Sequence, residues 1–99
     1  MSNTYDIAVV GATGLVGETI LEILAQREFP VGEVHALASA RSAGNTVQFR
    51  GRPIMVKDLA DFDFAGISVA LFSAGGSVSA EHAPRAGDAG CVVVDNTSH

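Results

Sequence analysis

The apolar positions of this chain fall into two textures, short unbroken runs and one spaced stripe. Tyr5 to Val10 (YDIAVV) is brief and almost continuously apolar, the pattern of a strand buried on both faces of a parallel sheet. Val16, Ile20, Ile23 and Leu24 then recur at i, i+4, i+7 and i+8, which predicts one buried face of a helix. That helix fades at Gln26-Arg27-Glu28 and cannot easily pass Pro30; Glu18, Glu22 and Glu28 read as its wet side. Glu33 to Ala38 (EVHALA) predicts a second strand, and the small residues of Ser39 to Asn45 a loop. Thr46 to Arg50 and Pro53 to Val56, separated by Gly51-Arg52, resemble a hairpin. Ser68 to Ser73 and Cys91 to Asp95 are two more apolar strands. Between them Ala80, Ala83 and Ala86 give a helix a side to lay on a sheet, with Pro84 expected to kink or shorten it. Strand, helix, strand, repeated, describes βαβ units in a mostly parallel sheet.

Composition narrows this further. With 47% hydrophobic and 17% charged residues in 99, one packed folding unit is expected and disorder is not. Six Lys and Arg against 11 Asp and Glu give a formal charge of −5, which argues against a nucleic-acid or anionic-membrane partner. Any phosphate must be held by local geometry. The single Cys91 excludes an internal disulfide and points to a reducing, cytoplasmic compartment. No apolar run approaches the roughly 20 residues needed to span a bilayer, and the N-terminus lacks the features of a signal peptide.

The most informative segment is Gly11-Ala12-Thr13-Gly14-Leu15-Val16-Gly17, a G-x-x-G-x-x-G run between the first strand and the first helix. Gly11 permits a sharp exit from the strand, Gly14 lets backbone approach a pyrophosphate, and Gly17 lets the helix pack closely on the sheet. The phosphates then meet the helix N-terminus, where unpaired N–H groups and the helix dipole favour an anion. An α/β, Rossmann-type three-layer fold with a mostly parallel sheet is the expectation. Where folds of this kind bind NAD, an Asp or Glu ends the second strand and takes the ribose 2′-OH. Here that position offers Ser39, Arg41 and Ser42 instead, a set suited to a 2′-phosphate, so NADP is the expected cofactor.

Four segments in register carry a resemblance. VGATGLVG (10–17), LASARSAG (37–44), ALFSAGGSVS (70–79) and VVVDNTS (92–98) closely resemble the amino-terminal part of the aspartate-semialdehyde dehydrogenase family, as does the turn at Phe49-Arg50-Gly51. The resemblance implies NADP-dependent interconversion of aspartyl phosphate and aspartate semialdehyde, with phosphate, in lysine, threonine and methionine biosynthesis. It implies that Thr13, Gly14, Leu15 and Val16 wrap the pyrophosphate, that Ser39, Arg41 and Ser42 meet the 2′-phosphate, and that Ser73, Ala74 and Gly75 line the cofactor groove. Asn96 would approach the substrate phosphate. The family's cysteine nucleophile, acid/base histidine and phosphate-binding arginine fall beyond residue 99. Residues 1–99 are therefore expected to be an incomplete NADP-binding domain without the catalytic and dimerisation domain, inactive alone, its full-length parent a homodimer or homotetramer.

Other readings stay open at this point. An N-acetyl-γ-glutamyl-phosphate reductase would share the chemistry; SARSAG and DNTS favour the aspartate enzyme. A non-catalytic NADP-sensing regulator or an empty structural module would share only the loop. Cys91 opens an apolar strand and reads as an inert buried thiol rather than a nucleophile. His35, His82 and His99 have no metal-ligand spacing, with His82 placed on a helix surface, and no metal is expected. Lys57 to Asp61 could imitate a strand-end acid against adenine but reads as a solvated turn.

Overall fold

A computed structural model describes residues 4–27, 30–73 and 76–95. The elements are β1 (Tyr5–Val10), α1 (Leu15–Gln26), β2 (Val31–Ala38), β3 (Thr46–Phe49), β4 (Arg52–Asp58), a 3-10 turn over Leu59–Asp61, β5 (Val69–Phe72), α2 (Gly76–Asp88) and β6 (Val92–Asp95). They form one sheet in the order β3-β4-β2-β1-β5-β6. β4, β2, β1, β5 and β6 run parallel, and β3 pairs antiparallel on the edge. Among the described residues no helix is long and apolar enough to cross a membrane.

Side-chain alternation along the central strands explains the three layers. Ile7 and Val9 of β1 join Ala36 of β2 and Leu21 of α1 in one core. Ala8 and Val10 point the other way and join Leu37, Phe64, Phe72, Ala86 and Cys91 in the second. The two helices therefore cover opposite faces. β1, buried from Ile7 to Val10, is the strand both cores share.

The structure corrects the sequence reading in several places. β2 begins at Val31, two residues before the apolar run suggests, because Tyr5 pairs with Val31 across the parallel ladder. The hairpin turns at Arg50-Gly51, not Gly51-Arg52: both residues have positive φ (51° and 77°), the type I′ signature that matches strand twist. β4 runs on to Asp58 because Val56, Lys57 and Asp58 pair with Ala36, Leu37 and Ala38 of β2. Lys57 and Asp58 are thus strand, not solvated turn. Helix α2 continues through Pro84, where Pro84 and Ala80 are both exposed and water is available to the carbonyl that loses its donor. Ala86 is buried and Ala83 half-buried, whereas Ala80 faces out. Glu28 lies outside the described residues.

His35 of β2 carries a pH signature. Its side chain is 14% exposed, with Phe62 5.2 Å from its ring. Burial pushes its pKa below the ordinary value; the Glu33 carboxylate pulls it partly back, Lys57 lowers it further and Asp6 raises it. The unfolded chain therefore takes up this proton first as pH falls, so the folded state loses stability from about pH 6.5 downward until the folded histidine also protonates. Between pH 7.5 and 5.5 the melting temperature of the chain is expected to drop more than that of His35→Gln; equal drops would remove His35 as the cause.

Candidate functional site

The chain leaves β1 toward β2 on one side of the sheet and, after β4, crosses to β5 on the other. The carboxyl end of β1 is thus a topological switch point, the place where open α/β sheets form their ligand crevice. Gly11 makes the exit with φ +86°. Its N–H and that of Ala12 both donate to the Leu37 carbonyl, at 2.8 and 3.2 Å, which pins the turn to the end of β2. The Gly14 N–H returns to the Gly11 carbonyl at 3.0 Å. Gly14 then caps α1 in extended conformation without a side-chain cap bond, so its side of the cleft offers first-turn amides that no cap side chain ties up.

Gly17 lies beneath the turn, buried. A Cβ there would overlap the Gly11 carbonyl oxygen and sit 2.7 Å from Ala12 Cα. At Gly14 a Cβ would meet only that same oxygen, at 3.5 Å. The two glycines therefore serve different ends: one packs helix against strand, the other leaves the front of the turn bare.

The turn opens into a cleft of about 620 Å³ lined by segments from all along the chain. Val10, Gly11, Thr13 and Gly14 form one wall, and Ala38, Ser39, Ala40 and Ser42 another. The latter loop is tied down locally, with the Ser39 carbonyl accepting from the Ser42 and Ala43 N–H groups and Gly44 donating to Val56 of β4. Asp58, Leu59 and Ala60 form the far wall, where the Asp58 carboxylate caps the 3-10 turn by accepting from the Ala60 N–H at 3.0 Å. Ser73, at the end of β5, donates both its N–H and its hydroxyl to the Val10 carbonyl, each at 2.9 Å. His82 reaches in from α2.

Of the residues singled out in the sequence, Gly11, Thr13, Gly14, Ser39, Ser42 and Ser73 meet in this cleft. Leu15 and Val16 hold exposed side chains outside its lining and face it through the helix N-terminus alone; Gly17 is under the floor. Arg41 is exposed in the turn between Ala40 and Ser42, outside the lining itself. Ala74, Gly75 and Asn96 lie outside the described residues. The structure adds Ala38, Ala40, Asp58, Leu59, Ala60 and His82. The end of β4 could have been found from topology, since every parallel strand delivers its carboxyl end to the same edge. His82, read as a helix-surface residue, is half-buried instead.

Cys91 is buried, its Sγ 3.5 Å from the Phe64 carbonyl oxygen as donor, and burial pushes its thiol pKa up. That environment opposes a thiolate. Among the described residues no group of three or more His, Cys, Asp and Glu gathers in a way that could hold a metal ion.

Residues 6–99 match the family described as semialdehyde dehydrogenase, NAD binding domain. The chain belongs to that family. As a semialdehyde dehydrogenase NAD-binding domain, it takes a nicotinamide dinucleotide as its cofactor, and the walls and uncapped helix N-terminus just described have the shape and polarity for one. It is 58% identical over 98 residues to an aspartate-semialdehyde dehydrogenase of Legionella pneumophila, covering 99% of this chain and 28% of that protein. It is 52% identical over 95 residues to a USG-1 protein homolog of Azotobacter vinelandii, covering 96% and 28% respectively. Among solved structures, aspartate semialdehyde dehydrogenase II from Vibrio cholerae, complexed with ASA, superposes with a TM-score of 0.93 at 52% identity, over 98% of this chain and 32% of that one. The chain thus spans less than a third of the length of these relatives.

Proposed function

We propose that this chain forms the NADP-binding portion of an aspartate-semialdehyde dehydrogenase, which reduces L-4-aspartyl phosphate to L-aspartate 4-semialdehyde and releases phosphate. The observation that carries the reading is the cleft at the switch point, with a bare glycine turn on one side and Ser39 and Ser42, rather than a carboxylate, after β2. The amides at the start of α1 hold the pyrophosphate. Ser39, Ser42 and the nearby Arg41 guanidinium hold the 2′-phosphate, an anion the carboxylate of an NAD-type site would repel. Leu59 and Ala60 supply the apolar wall for adenine. Ser73 has committed its hydroxyl proton to Val10, so its oxygen is left as an acceptor, the polarity a carboxamide N–H needs. The family resemblance assigns Ala74 and Gly75 to the cofactor groove and Asn96 to the substrate phosphate. The bound dinucleotide supplies the hydride. This reading gives no catalytic role to Cys91 or to the three histidines.

Calorimetric titration of the chain and of Arg41→Asp with NADPH and NADH tests the cofactor assignment. The substitution is expected to weaken NADPH by roughly 1.5–3 kcal/mol, the loss of a charged hydrogen-bond partner, and to leave NADH nearly unchanged. Equal weakening of both would overturn the NADP reading.

A further inference from the structure

Arg85 of α2 makes contacts that a helix-surface cation does not need. Its Nη1 donates to the Phe62 carbonyl at 2.6 Å and its Nη2 to the Leu59 carbonyl at 2.8 Å. The same Nη2 lies 3.0 Å from His82 Nδ1, and the guanidinium carbon sits 5.0 Å from the centroid of the Phe64 ring. The group is half-buried, so each contact is shielded from competition by water. Leu59 and Phe62 bracket the 3-10 turn, and Leu59 and Ala60 are a wall of the cleft. One side chain of α2 thereby holds a segment 23 to 26 residues earlier in the chain.

The chemistry of the pair fixes His82 as well. A guanidinium has donors and no acceptor, so Nδ1 must accept and the ring proton resides on Nε2. That nitrogen lies 3.1 Å from the exposed Glu81 carboxylate. Arg85 therefore sets both the position of the Leu59–Asp61 turn and the orientation of the imidazole that shares the cleft.

We propose that Arg85 is a positioning residue for the adenosine half of the bound dinucleotide, acting through Leu59, Ala60 and His82 rather than by touching the ligand. The inference rests on the dinucleotide reading of the cleft and adds to it a dependence of one half of the site on α2. Among the described residues the glycine turn is held by the Leu37 and Gly11 carbonyls, whereas Arg85 bonds those of Leu59 and Phe62, so the phosphate half is independent of Arg85.

The experiment is calorimetric titration of the 99-residue chain with 2′,5′-ADP, which spans the adenosine half, and with inorganic pyrophosphate, which needs only the glycine turn. Arg85→Met, which keeps an apolar stem over Phe64, is expected to lose about tenfold in 2′,5′-ADP affinity, one charged hydrogen bond's worth, with pyrophosphate binding unchanged. Arg85→Lys keeps the charge but cannot span both carbonyls, and is expected to fall between. If Arg85→Met does not fold, the split between the two probes is read on Arg85→Lys. Equal loss for both probes, or none for 2′,5′-ADP, overturns the role given to Arg85 while leaving the dinucleotide reading intact. If the unsubstituted chain binds neither 2′,5′-ADP nor NADPH, the dinucleotide reading fails and takes this inference with it.

Discussion

Phe64→Ala is expected to cost about 3–5 kcal/mol of folding free energy, the usual range for removing a buried phenyl ring. The ring is 2% exposed, meets Phe62 edge-on at 5.1 Å, lies 6.4 Å from Phe72, and carries the Arg85 guanidinium on its face. Its backbone carbonyl also receives the Cys91 thiol and the Ile67 N–H. No single neighbour can collapse into the space, because three of them are fixed by hydrogen bonds to the same short segment. Against a total stability of roughly 5–15 kcal/mol, the loss should lower the midpoint of thermal unfolding by on the order of 15–30 °C for a domain of this size. Circular dichroism melting of the two chains measures it. A fall of only a few degrees would mean that the core under α2 is not packed as described.

Gly17→Ala and Gly14→Ala should part company although both alter the same turn. At Gly17 the added methyl meets only backbone, the Gly11 carbonyl and the Ala12 Cα, so the helix must move away from the strand. The expected cost is about 1–3 kcal/mol or more, typical of overpacking, and dinucleotide binding is lost with the geometry of the turn. At Gly14 the nearest atom to the added methyl is 3.5 Å away and φ is −84°, which alanine adopts freely. Unfolding should stay where it is, or rise slightly because the unfolded chain is less free, while NADPH affinity falls because the methyl stands where the pyrophosphate must approach. Melting curves beside calorimetric titrations separate the two. If Gly14→Ala binds NADPH as the parent chain does, the ligand does not approach that face.

The reason the phosphate side of this site was legible in the sequence, and the adenosine side was not, lies in range. β1, the glycine turn and α1 are consecutive, and the apolar run, the glycine spacing and the stripe Val16, Ile20, Ile23, Leu24 report on one another within 20 residues. The far wall depends on pairing that local patterns do not encode. PIMV reads as the second arm of a hairpin, which it is, but Val56 to Asp58 also pair with β2, and that ladder decides where Asp58, Leu59 and Ala60 end up. Arg85 was invisible for a related reason. Its partners are backbone carbonyls, which every residue possesses, so no residue type at a fixed spacing marks them. The same holds in reverse for Arg41: its place after β2 was readable, but its exposure at the tip of a tied-down turn was not.

The cleft gathers its walls from the first turn of the chain, the loop after β2, the end of β4, the tip of β5 and the last helix. An occupant spanning that breadth behaves as a clasp across the sheet. It prefers the state in which every wall is in register, and so it draws the late-sequence α2 and the early-sequence β1 into one cooperative unit.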